Sequence, residues 1–367
     1  MQTSLALQPC RLSPDLLQAP LPFDLYSSNG TLLSKQGTRL RNNSATLISQ
    51  ALFRSRPVAE GDEQLALQQL ESLYSRYGQL TERWSCSIED VRQLKLLAAE
   101  LIELCGTHSD MCVCMAAYLP GRSHATRHSF AAAVFAILLG SLLAWDASLP
   151  TIAQAALTMN LSHLSHHDDW AGIRGHLSEG QRMNVHRHPY LSADLLSQTP
   201  GTDLRWITAV DQHHENLDGS GYPVGLQGEE IVPEARVLRV ADTWCALVLD
   251  RQGRGRKPPR HALHLLSESA RGHLDHQVFL ALKKLIGFYP PGTFIRLANR
   301  ETAVVVRWDR NGYLPRSVLS IISAAGEVMP EFKIRNVTQL GCRIRDYTHL
   351  DFAQMSHLPW PRVWASA

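Results

Sequence analysis

The sequence predicts a mainly α-helical protein: a long helical body with a small β-rich module at each end. Three observations carry this. From about 124 to 287, apolar residues recur in one helical stretch after another, starting with the strongly apolar segment 130–145. Ahead of that body, strand-like residues flank an Asn29-Gly30 turn. Beyond Tyr289-Pro290-Pro291-Gly292, the pattern changes to β-branched runs such as Thr302-Ala303-Val304-Val305-Val306.

Residues 1–57 read as the N-terminal β-rich module, with a strand at 21–26, a turn at 27–30 and a returning strand at 31–33. Residues 58–119 read as a helical linker region. Leu65, Leu67, Leu70 and Leu73 recur at helical intervals there, as do Val91, Leu94, Leu97 and Leu101. Ser87-Ile88-Glu89-Asp90 is a helix start signal. The body, 120–289, predicts helices at 128–145, 151–161, 178–188 and 233–250. Pro233 fits a first turn, where its missing N–H costs nothing. A basic loop, 251–259, precedes a last helix from about 261 to 286. Residues 290–350 form the C-terminal β module, and the tail 351–367 shows no readable pattern.

The 367 residues are 44% apolar, enough to bury a sizeable core. A formal charge of +2 implies no strong attraction to nucleic acid or to a membrane surface. The apolar segment 130–145 is shorter than the ~20 residues a membrane span needs, so a core helix is expected there. The N-terminus shows no signal peptide, and seven scattered cysteines fit a reducing compartment better than a disulfide framework. A cytoplasmic protein is expected. Cys112-Val113-Cys114 lacks a second pair at zinc-finger spacing and reads as incidental thiols. Histidine is abundant: 17 residues, many between 124 and 214, which points to metal chemistry.

The most informative stretch is His213-His214-Glu215-Asn216-Leu217-Asp218-Gly219-Ser220-Gly221-Tyr222-Pro223. Two adjacent imidazoles can ligate metal, and Asp218-Gly219-Ser220-Gly221 makes a tight turn closed by an aromatic and a proline. His128 opens an apolar helix, and His188-Pro189 falls at the end of another. Asp242 lies inside Val237-Leu238-Arg239-Val240-Ala241-Asp242, where a carboxylate is costly unless paired or bound to metal.

On these residues the chain resembles the HD-GYP family, a branch of the HD metal-dependent phosphohydrolases, over about 120–290. The resemblance implies an HD-type helical bundle core. It also implies hydrolysis of cyclic di-GMP by two or three metal ions, often iron or manganese, held by His and Asp side chains. By the same resemblance His128, His188, His213, His214 and Asp242 are metal ligands. Glu215, Asp218, Gly219, Gly221, Tyr222 and Pro223 belong to the GYP signature. Arg251 and Arg254 fall where basic residues contact ligand phosphates, and Tyr222 shapes the pocket or a surface for a signalling-protein partner.

One element departs from the pattern. Where the family reads Ala-Leu-Leu-His-Asp-Ile-Gly-Lys, this chain reads Ala156-Leu157-Thr158-Met159-Asn160-Leu161-Ser162-His163. Met159 stands for the His, Asn160 for the metal-bridging Asp, and His163 for a phosphate-contacting Lys. The 29 positions from Met159 to His188 support that register. A rival register uses His167-Asp168, only 21 positions before His188 and in a polar stretch. A neutral amide bridges cations poorly, and a thioether suits hard metals badly. His124, one turn before His128, and His163 offer replacement nitrogens or act as ordinary packing histidines. The metal site is therefore expected to be incomplete or lost. Three functions follow as alternatives: a catalytically degenerate relative that binds cyclic di-GMP or a protein partner, an active phosphodiesterase with an altered metal centre, or a structural adaptor.

Overall fold

The computed structural model describes residues 5–10, 24–27, 32–35, 37–39, 52–57, 62–119, 123–164, 178–249, 257–307, 314–348 and 358–366. At the N-terminus, β1 (Leu5–Cys10), β2 (Leu25–Ser27), β3 (Leu32–Ser34) and β4 (Leu52–Pro57) form an antiparallel sheet ordered β1-β4-β2-β3. β2 and β3 pair as a hairpin, Tyr26 opposite Leu32, and the turn read at Asn29-Gly30 lies outside the described residues.

Two long helices follow, α1 (Asp62–Glu82) and α2 (Ile88–Thr107). Ser87 caps α2 in a reciprocal box: its hydroxyl accepts the Asp90 N–H, and the Asp90 carboxylate accepts the Ser87 N–H. This segment is not a separate linker. Leu67, Leu70, Leu73, Leu94, Leu97 and Leu101 are buried in the same core as the helical body, because the apolar stripe of each helix has that body to pack on. Leu65 is the exception at 55% exposed: two residues from Leu67 is about 200° round a helix, so both cannot face the core.

The body continues with α3 (Ser109–Ala116), α4 (His124–Leu142), α5 (Leu149–Thr158), α6 (Glu179–Ser197), α7 (Leu204–Asp211), α8 (Pro233–Val248), α9 (Pro259–His273) and α10 (His276–Ile286). α4 is apolar on nearly every side and runs through the centre of the bundle. Its 19 residues are long and apolar enough to cross a membrane by length and composition, but 83% of that window is buried against other helices.

The helices expected at 128–145 and 151–161 are found at His124–Leu142 and Leu149–Thr158, and two others differ more. The helix expected at 178–188 runs on through Pro189 to Ser197, for a reason that bears on the site below. The single helix expected at 261–286 is two, because Arg271 (ψ 92°) and Gly272 (φ 90°) leave helical geometry and Asp275 caps a new start.

The C-terminal sheet contains β5 (Phe294–Leu297), β6 (Thr302–Val304), β7 (Ser317–Ile322), β8 (Val328–Asn336) and β9 (Ile344–Tyr347) in the order β8-β7-β6-β5-β9. Alternation divides its faces. Phe294, Val304, Leu319 and Ile321 join the main helical core, whereas Ile295, Leu297, Ala303, Val305 and Val318 form a second cluster. The tail is not featureless: α11 (Trp360–Ala365) buries Trp360, Val363 and Trp364 against the body, and Trp360 stacks on Tyr118 at 5.1 Å. Six residues are too few for a periodic signal, so only packing reveals this helix.

Candidate metal and nucleotide site

His188 sits in the middle of α6, immediately before Pro189. Proline has no N–H, so the carbonyl of Val185, four residues earlier, loses its helical donor. His188 Nδ1 lies 2.6 Å from that carbonyl oxygen. The proline that would break a helix here instead frees an acceptor that orients the imidazole. Since a carbonyl only accepts, Nδ1 carries the proton and Nε2 keeps its lone pair.

His213 is set the same way from a different element. α7 is capped by Asp203, whose carboxylate accepts the Trp206 N–H, and is fixed to α5 by a 2.8 Å hydrogen bond from Trp206 Nε1 to Thr158 Oγ1. It ends at Asp211, where carbonyls fall vacant, and His213 Nδ1 donates to Val210 O at 2.6 Å. The Nε2 atoms of His188 and His213 then approach to 3.1 Å. Burial pushes the His213 imidazole down to about 4, against the pull of Asp242, so it is neutral near pH 7. Two neutral rings so oriented turn lone pairs toward each other, which is favourable only with a cation against them. His214 completes the group: the ligand nitrogens of His188, His213 and His214 all lie within 4.8 Å of one another. Burial, then the neighbouring His213, also push His214 well down. Three neutral imidazole nitrogens suit a borderline divalent ion such as zinc or iron. The residues present therefore fit one metal ion.

The other two ligands implied by the resemblance, His128 and Asp242, are bonded to each other: His128 Nε2 to Asp242 Oδ1 is 2.7 Å, linking α4 to α8. Burial opposes ionisation of Asp242, but the His128 hydrogen bond and the fields of His214, His128 and His213 outweigh it and hold the carboxyl well below the usual range. His124 stacks over His128 with ring centroids 6.0 Å apart. Met159 is fully buried in the apolar core. Asn160 is also buried and donates from Nδ2 to Ser129 Oγ at 3.2 Å, beside His128. His163 ends a single 3-10 turn and its side chain is outside the described residues, as are Arg251, Arg254, His167 and Asp168.

The GYP loop is built around one carboxylate. Glu215, 2% exposed, accepts the backbone N–H groups of Val224 (2.7 Å), Gly225 (3.0 and 3.1 Å) and Leu226 (3.0 Å). Gly221 crosses so closely that a Cβ there would lie 2.3 Å from the Asn216 nitrogen and 2.5 Å from the Glu215 Cα. Asp218 caps the turn by accepting from the Ser220 N–H and hydroxyl, and it pairs with His273 at 3.2 Å. Gly219 turns the backbone at φ 81°, and the Tyr222-Pro223 peptide is cis. The Tyr222 ring lies between His214 (4.7 Å) and His186 (4.4 Å, nearly parallel), forming a wall of the histidine cluster. Burial, reinforced by Asp242, pushes its phenol well up, so it stays protonated.

Arg239, which the sequence did not single out, also belongs to this region. Its Nε donates to Asn216 Oδ1 (3.0 Å) and Nη1 to Thr243 Oγ1 (3.1 Å), joining α8 to the GYP loop. Its charge is felt at His213, His214 and Tyr222. The available signal was its position one turn before Asp242 on the same helix.

A helical bundle here converges histidines from separate elements beside a buried His–Asp pair, an arrangement similar to that of HD domains. The HD domain family matches residues 131–278. Over 154 residues, 42% of the chain, it is 32% identical to a cyclic di-GMP phosphodiesterase of Pseudomonas aeruginosa, covering 37% of that protein. Over 165 residues, 44% of the chain, it is 32% identical to a 3'3'-cGAMP-specific phosphodiesterase of Vibrio cholerae, covering 35% of it. Over 78 residues, 20% of the chain, it is 44% identical to a cyclic di-GMP phosphodiesterase response regulator of Xanthomonas campestris, covering 20% of it. The chain thus spans about a third of the length of the first two of these relatives. An HDG"Y"P protein from Bdellovibrio bacteriovorus shares the fold, with a TM-score of 0.52 and 15% identity over 76% of this chain and 98% of that one. Residues 131–278 thus match an HD domain, and over its helical body the chain resembles the HD-GYP family.

Proposed function

We propose that the helical body is a cyclic-dinucleotide receptor of the HD-GYP type, with one divalent ion at His188, His213 and His214 and without the family's multi-ion hydrolysis. The supporting observation is the divergent fate of the two halves of the site. The three histidines converge, His188 and His213 with their Nε2 lone pairs inward, while Met159 is part of the apolar core and Asn160 spends its amide on Ser129. Neither supplies the anionic oxygen that bridges two cations.

A divalent ion bound there supplies Lewis-acid polarisation of a phosphoryl oxygen. The chain's own residues do the rest. Val185 and Val210 carbonyls fix the tautomers that present Nε2. Arg239, always charged and anchored by Asn216 and Thr243, is suited to hold non-bridging phosphate oxygens. The family resemblance assigns further phosphate contacts to Arg251 and Arg254. Tyr222 closes one side of the site, and Val224 beside it, 69% exposed, gives a protein partner an apolar contact. The relatives' ligands, cyclic di-GMP and 3'3'-cGAMP, set the ligand class. One observation favours a second reading, slow single-ion hydrolysis. The buried His128–Asp242 pair is an arrangement that orients an imidazole for proton transfer.

Elemental analysis, calorimetry with cyclic di-GMP and 3'3'-cGAMP, and a hydrolysis assay on the same protein test this. The expected result is about one ion per chain, saturable nucleotide binding and no turnover. Met159→His with Asn160→Asp should raise the metal content and introduce cleavage. Turnover by the unaltered, metal-loaded protein overturns the receptor reading in favour of the enzyme. Absence of both metal and nucleotide binding overturns both and favours an adaptor.

A further inference from the structure

A cavity of about 80 Å³ lies away from the histidine cluster, at the seam between the helical body and the C-terminal sheet, and opens to solvent at one side. We propose that it is a second ligand site, for a small carboxylate with an apolar or aromatic body. Tyr118, Phe135, Trp244 and Phe294 form apolar walls, and such a seam is a common location for small-molecule sites.

Its polar groups specify the rest. Trp244 Nε1 and Thr293 Oγ1, in residues 1% and 4% exposed, have no hydrogen-bond partner among the described residues. Unpaired buried donors are uncommon and destabilising. Both residues line the cavity, so an acceptor entering it can engage them after a small side-chain adjustment. Lys257, partly exposed in the same lining, has no carboxylate partner among the described residues. Helix α9, regular up to the break at Arg271, begins at Pro259 in that wall, bringing its positive end to the same place. A carboxylate supplies both the acceptor and the negative charge, and the aromatic walls accommodate the body. The space is too small and too apolar for a nucleotide. Trp244 lies two residues from Asp242 on α8, so an occupant would contact the helix that carries a residue of the first site. The proposal does not depend on that site binding a nucleotide.

The test uses the full chain with benzoate, 3-methylbutanoate and uncharged benzyl alcohol as probes, followed by saturation-transfer NMR and thermal shift. Saturable benzoate binding is expected, with benzyl alcohol at least tenfold weaker. Lys257→Gln, at a partly exposed position that does not threaten folding, should weaken benzoate about tenfold, and Thr293→Val severalfold. The proposal is overturned if no probe binds saturably, if benzyl alcohol matches benzoate, or if neither substitution changes benzoate affinity.

Discussion

Replacing Glu215 by alanine removes the group on which the GYP loop is built. The carboxylate is 2% exposed and accepts three backbone N–H groups, those of Val224, Gly225 and Leu226, at 2.7–3.1 Å. A hydrogen bond to a charged group contributes about 1.5–3 kcal/mol, and a buried N–H left unpaired costs ~1–3. Val224 is exposed, so water can reach part of the released backbone, which favours the lower end for each bond. Three such bonds give a loss of about 3–4.5 kcal/mol. At about 2 °C per kcal/mol, the value for a large domain, that is a fall in Tm of roughly 6–9 °C. Glu215→Gln keeps one acceptor oxygen but turns an NH2 toward a backbone N–H, so about half that loss is expected. Urea and thermal unfolding of the two variants measure the effect, and nucleotide affinity should fall with it, because the loop positions Tyr222 against His214. A loss below about 1 kcal/mol for the alanine variant would show that the carboxylate is not what organises the loop.

Gly221→Ala places a methyl group against backbone atoms of Asn216 and Glu215 that cannot rotate away, so nucleotide binding should be lost even where the bundle stays folded; unchanged affinity by calorimetry refutes this. His188→Ala should abolish cobalt(II) binding, read from its visible spectrum, while far-UV circular dichroism is unchanged. Retention of the spectrum would place the ion elsewhere. In the C-terminal sheet, the hydrogen-bonded Arg335 guanidinium, opposed by burial, holds the Glu301 carboxyl down to about 2 from an ordinary 4.5. A depressed carboxylate contributes stability above its unfolded value and loses it as pH falls through the folded one. Arg335→Met should therefore lower stability by about 1–2 kcal/mol at pH 7, allowing for solvent screening, and the difference should fade between pH 4.5 and 2. A difference that stays constant across that range would mean the pair is not the cause.

What the sequence determined by itself was local in origin. The apolar periodicity of α2, α4 and α8 and the Ser87 capping box are set by residues within a turn or two of each other, so their helices were readable. The GYP run was equally legible, because the Glu215 carboxylate that organises it bonds to residues no more than 11 positions away. Pro189 was misleading in isolation. It reads as a helix end, but the helix continues, with the carbonyl that proline leaves free taken by the neighbouring histidine. Other features rest on contacts distant in sequence. His128 meets Asp242 across 114 positions, Asn160 turns to Ser129 across 31, and Arg239 reaches Asn216 across 23. The composition of each stretch allowed these side chains to be metal ligands, spacers or surface groups. Which role each takes depends on where its helix axis lies and which face it turns inward, and only the packing of the whole bundle settles that. The sequence thus determined which residues could form a metal site, and the tertiary structure decided that three histidines converge while the positions of the expected His-Asp pair face the core and Ser129.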